Sequence, residues 1–86
     1  MQYDEKVLKA FLKEQTKLFP KPVADTMEEA DDFLSECLAV VVDSKKAVWD
    51  YFDDAGADIS EFNQENILNA DEVFSVGDGR YLIVEC

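Results

Sequence analysis

Residues 26–42 read TMEEADDFLSECLAVVV, and the fold turns on how this stretch is read. Its apolar residues are Ala30, Phe33, Leu34, Cys37, Leu38, Val41 and Val42. They recur at alternating steps of three and one, the signature of an amphipathic helix. Thr26 is a good N-cap, and Glu29 three residues on completes a capping box. Glu28, Glu29, Asp31 and Asp32 crowd the positive end of the helix dipole, so helix-start chemistry accounts for this acid cluster. The spacing predicts one helix from Thr26 to Val42. The rival reading is a strand at Leu38–Val42, where β-branched residues dominate.

Outward from this stretch, residues 3–19 read as a first helix. Asp4 is its cap, and Tyr3, Val7, Leu8, Phe11, Leu12, Leu18 and Phe19 form an apolar face that Gln15 interrupts. Lys6, Lys9, Lys13 and Lys17 take the solvated side. Pro20 and Pro22 end this helix, because the residue before a proline avoids helical angles. On the other flank, Asp43-Ser44 reads as a break and cap before a third helix over about 45–55, stopped by Gly56. One bent helix running through Asp43 is the alternative. Residues 57–71 hold the anchors Ile59, Phe62, Ile67 and Leu68, and Ser60 can cap a short helical segment.

The C-terminus carries a hairpin signal. Two apolar runs, Glu72–Val76 and Arg80–Glu85, flank Gly77-Asp78-Gly79. Asp-Gly between such runs favours a two-residue loop. That loop pairs 76 with 81, 75 with 82 and 74 with 83. One face then holds Phe74, Val76, Tyr81 and Ile83, and the other Val73, Leu82 and Val84. Both faces are apolar, and a two-stranded ribbon alone is marginal, so further elements or a second subunit are expected to cover it. The expected fold is α+β: three helices, with a fourth short one allowed, then a C-terminal antiparallel hairpin, in a single small domain.

Composition narrows the functions. The 86 residues are 48% apolar, with three Gly and two Pro, which argues for regular structure over disorder. A chain this short buries about 60% of the surface its unfolded form exposes. Net charge is −12. Residues 1–22 carry five lysines against three acids, a net +2. Residues 23–86 carry three bases against 17 acids, a net −14. Such a surface repels phosphate backbones and anionic membranes, so neither direct nucleic-acid binding nor membrane binding is expected. No apolar run follows Met1, and a cytoplasmic location is expected. Two cysteines, Cys37 and Cys86, make no disulfide framework. Cys37 reads as a small core residue, and Cys86 as a terminal residue.

Chemistry is sparse. With no histidine, the commonest general base and neutral metal ligand are missing. Ser35, Ser44, Ser60 and Ser75 have no recognisable base, and Gly77-Asp78-Gly79 lies between strands rather than before a helix, as a turn does. No catalytic, cofactor or metal residue is assigned, and an enzyme is not expected. Asp50, Asp53, Asp54 and Asp58 gather where a helix ends, a place that disfavours negative charge. An EF-hand frame that puts Gly56 at the loop glycine places its first ligand at Tyr51, so the calcium pattern fails; a weak cation site is the lesser reading of these acids.

Two function classes follow. The first is a non-catalytic protein–protein interaction or regulatory module. Its contact residues would be Tyr81, Leu82 and Ile83 of the hairpin, by strand pairing with a partner or by homodimerisation, together with Asp50, Asp53, Asp54 and Asp58 facing a basic partner. The second is an acidic mimic of nucleic acid, in which the acids of 25–36 and 50–61 form one negative face. Carboxylates on adjacent helical turns lie about 5–6 Å apart, on the scale of phosphate spacing.

Overall fold

The structure, a computed structural model, describes residues 2–56, 62–63 and 66–85. Helix α1 spans Glu5–Glu14 and is followed by a 3₁₀ turn, Gln15–Lys17. Helix α2 spans Met27–Glu36, strand β1 Val40–Val42 and helix α3 Lys45–Asp54. A second 3₁₀ turn, Asn66–Asn69, precedes strands β2, Val73–Ser75, and β3, Tyr81–Ile83. The expected α+β class and terminal hairpin are present.

The caps are those the local chemistry calls for. Asp4 accepts the Val7 N–H at 3.0 Å. Thr26 accepts the Glu29 N–H at 3.1 Å, and the Glu29 carboxylate reaches back to the Asp25 N–H at 3.2 Å. Ser44 accepts the Ala47 N–H at 3.0 Å. Gly56 stops α3 with φ at 76°, a left-handed angle that costs glycine nothing.

The decisive stretch does not stay helical to Val42. Helix α2 ends at Glu36, Leu38 turns left-handed with φ at 55°, and Val40–Val42 form a strand. The Leu38 N–H donates to the Ser35 carbonyl and the Ala39 N–H to the Leu34 carbonyl, which closes the helix end as a Schellman motif. Beyond Leu38 the side-chain period changes from 3.6 to 2. Val41 packs on one side of the sheet and Val42 on the other. A helix would have put both on one face. Three consecutive valines and a β3 edge in need of a neighbour outweigh the helical spacing. Residues 26–55 are therefore two helices separated by a strand.

The sheet order is β1-β3-β2, all antiparallel. The last strand in sequence is thus the central one. Phe74 pairs with Leu82, Ser75 with Tyr81 and Val73 with Ile83. This register differs by one residue from the one expected of a two-residue loop, because Val76 donates to the Arg80 carbonyl and encloses three loop residues. Gly77 and Gly79 both take left-handed angles there, φ 99° and 92°. A one-residue change in pairing exchanges the faces of one strand. Phe74, Leu82 and Val84 face α1 and α2, where Val7, Leu8, Phe11, Ala30 and Leu34 complete a core. Val73 and Ile83 face α3 and the second 3₁₀ turn, against Val48, Phe52 and Ile67. Helices thus cover both faces of the sheet. Phe11 anchors the first core, with ring centroids 5.5 Å from Phe74 and 5.7 Å from Phe33.

Two polar side chains hold the layers in place. Gln15, which interrupts the apolar face of α1, is 5% exposed. Its Nε2 donates to the carbonyls of Leu12 and Ala24, and its Oε1 accepts the N–H groups of Val23 and Ala24 at 2.8 and 3.0 Å. It fixes the connection between α1 and α2. The Tyr3 hydroxyl donates to the carbonyls of Leu34 and Ala39, and the Tyr3 N–H donates to Asp31 at 2.9 Å. Burial, aided by the charge of Asp31, raises the Tyr3 phenol above its ordinary pKa.

Candidate interaction surfaces

The hairpin residues named as contacts lie inside the protein. Leu82 is fully buried and Ile83 nearly so, at 0% and 1% exposure, and Tyr81 is half-buried. Strand β3 is paired along both edges, so it offers no backbone to a partner. The self-complementary hairpin surface that motivated homodimerisation is covered by α1, α2 and α3.

The acids of α3 stay at the surface. Asp50 pairs with Lys46 one turn earlier, at 2.9 Å, while Asp53 and Asp54 are exposed at the last turn. Neither has an ion-pair partner among the described residues. Asp58, with Ile59 and Ser60, lies outside the described residues, as does Cys86. The acids of α2 sit across the sheet from those of α3, because the two helices pack on opposite faces. The two groups do not make one negative face. Among the described residues, no three metal-ligating side chains converge, and no helix is long and apolar enough to cross a membrane. Cys37 packs half-buried against the α1–α2 core and is disulfide-bonded, so it is not the free core thiol expected from its position.

The sheet edges are largely occupied. In an antiparallel pair, residues alternate between pointing their backbone groups at the neighbouring strand and away from it. The Val76-to-Arg80 and Val84-to-Glu72 bonds set that alternation, so Val73 and Ser75 point outward from β2. The Val73 N–H is taken by the Ala70 carbonyl, and the Val73 carbonyl accepts Lys17 Nζ at 2.6 Å. On β1, Ala39 is occupied in the same way by Leu34 and the Tyr3 hydroxyl. Such plugging is how natural sheets avoid edge-to-edge association. Among the described residues it leaves Val41 open on one edge and Ser75 on the other.

Ser75 opens into a groove that reverses the sign of the rest of the chain. Lys6, Lys9 and Lys13 of α1 line one wall, and Ser75, Val76 and Gly77 the other, around a volume of about 550 Å³. The lysines fall on one stripe because residues three and four apart share a helix face. Lys9 pairs with Glu5 at 2.8 Å and Lys6 lies 3.9 Å from Asp78, while Lys13 has no ion-pair partner among the described residues. Glu14 sits at the Lys13 end. Exposed pairs of this kind are held weakly and exchange readily with another anion.

A guanidinium ties the hairpin tip to the start of α1. Arg80 Nη1 contacts Asp4 at 2.6 Å and Nη2 contacts Asp78 at 2.8 Å. Hydrogen bonding to Arg80 holds both carboxyls below their ordinary pKa and raises that of Arg80. On the other side of the sheet, burial and a hydrogen bond to Glu85 raise the Tyr51 phenol.

Sequence reasoning placed these lysines on a solvated helix face. The signal that pointed further was the net +2 of residues 1–22 in a chain of −12. What it lacked was the second wall, some 65 residues away in sequence. Comparison of the chain with protein-family models, with curated proteins and with solved structures finds no match.

Proposed function

We propose that the protein is a non-catalytic protein-interaction module. The observation that supports this best is the lysine-lined groove between α1 and β2, a cationic concavity on a chain of net charge −12. Random placement of eight bases among twenty acids would scatter them. Here three share one helix stripe beside an unoccupied length of sheet edge. The acidic remainder of the surface keeps like molecules apart and leaves the groove as the place where an anionic group on a partner gains most. The cytoplasm is the compartment expected from the sequence, but a disulfide at Cys37 is better maintained in an oxidising one. The interaction reading holds in either.

The test is lysine-directed cross-linking in the native host, followed by mass spectrometry, with the wild type and a Lys6→Glu/Lys13→Glu variant. Both positions are exposed, so circular dichroism should be unchanged. Cross-links from Lys9, the groove lysine that the variant keeps, to one partner are expected in the wild type and lost in the variant. A partner captured equally by both proteins would overturn the reading.

A further inference from the structure

Resting on the interaction reading, we infer that the groove takes an extended acidic peptide, which adds to β2 at Ser75 while its carboxylates meet Lys6, Lys9 and Lys13. Three observations converge on that occupant. Ser75 is the residue of β2 whose outward N–H and C=O are left open after Lys17 and Ala70 have taken those of Val73. A strand laid there lies about 4.8 Å away and gains a donor and an acceptor from one residue. The lysine stripe from 6 to 13 is about 10 Å long at the helical rise. That is the length of about three strand residues. Two acids at alternate positions of the peptide point the same way, about 6.7 Å apart, and fall within reach of flexible lysine stems. Ala10, between Lys6 and Lys13 on this wall, is small and leaves room for a backbone to approach. Glu14 sits at the Lys13 end, Asp78 lies 3.9 Å from Lys6 and Glu5 pairs with Lys9, so the peptide's acids compete with these exposed carboxylates for the lysines.

Net charge opposes any acidic ligand at long range. At physiological salt the screening length is about 8 Å, so the distant carboxylates of α2 and α3 fade while the lysines at contact do not. Nucleic acid is the other polyanion to consider. Its uniform phosphates cannot supply the backbone N–H and C=O that Ser75 is placed to receive.

The probe is an acetylated, amidated heptapeptide of alternating Glu and Val, titrated into the full chain at about 0.15 M salt and followed by amide chemical shifts. Shifts centred on Ser75 and Gly77 are expected. Affinity should fall about tenfold or more in Lys6→Glu/Lys13→Glu, in Ser75→Pro, and for a peptide N-methylated at its central residue. Proline is tolerated at an outward edge position, and the N-methylated peptide serves if Ser75→Pro fails to fold. Binding lost on charge reversal but unchanged by Ser75→Pro and by N-methylation would overturn strand addition and leave the interaction module standing. Tighter binding of a short oligonucleotide, or no binding of the peptide at millimolar concentration, would overturn the acidic-peptide assignment. The cross-linking result decides the broader reading separately.

Discussion

Single residues account for several features that periodicity leaves out. Gln15 looks like a defect in the apolar stripe of α1, yet its amide satisfies four backbone contacts around the turn to α2. Gln15→Ala strands buried donors and an acceptor, each worth about 1–3 kcal/mol when unpaired. We expect a loss of about 2–4 kcal/mol in urea denaturation, a large part of the stability of a domain this size. Leu38 is the opposite case. It is 81% exposed and sits at φ 55°, where a side chain costs about 1 kcal/mol. Leu38→Gly relieves that strain at some entropic cost in the unfolded chain and should raise the unfolding free energy by up to about 0.5 kcal/mol, and a drop would show that the leucine makes a contact worth more than the strain. Cys37, disulfide-bonded against the core, should resist a thiol reagent until the protein is reduced.

At the scale of elements, the hairpin and the start of α1 act as one unit through Arg80. Asp4 and Asp78 have carboxyls held below their ordinary pKa by that guanidinium. A depressed folded-state pKa contributes stability that is present above the unfolded value, about 4, and is lost as pH falls through the lower folded one. The urea midpoint should therefore drop on going from about pH 5 to about pH 2. Arg80→Ala, having no such partner to lose, should lose less over the same window. An equal loss in both proteins would mean that other carboxylates dominate the acid transition. The element boundaries show where local signals suffice. Asp4, Thr26, Ser44 and Gly56 act as their types predict, because capping is decided within one turn of helix. The strand at 40–42 was present in the sequence only as the weaker of two readings, since helical spacing and β-branching there point in opposite directions.

For the whole molecule, the sheet is a shared wall between two small cores, and charge is distributed around it unevenly. With 20 acidic and 8 basic side chains, repulsion within the folded state outweighs the few surface pairs. Added salt should raise the melting temperature. A fall would mean that pairs such as Arg80 with Asp4 and Asp78 contribute more than the repulsion costs. The candidate groove belongs to this scale as well. Neither wall is a site alone: Lys6, Lys9 and Lys13 are an ordinary solvated stripe, and Ser75 an ordinary edge residue, until packing of Phe11 on Phe74 brings them together.

The sequence by itself determined the α+β class, the helix starts, the stop at Gly56 and the place of the hairpin, though not its three-residue loop or register, because each depends on residues within a few positions of one another. It also determined the charge asymmetry, which composition alone carries. The tertiary structure decided that Val40–Val42 form a strand, that the chain's last strand is its middle one, and that Leu82 and Ile83 are core rather than contact surface. Those outcomes depend on pairing partners some 40 residues apart. The hydrophobic gain of covering both faces of the sheet exceeds the local preference of a short segment, and no window of sequence contains both sides of that comparison.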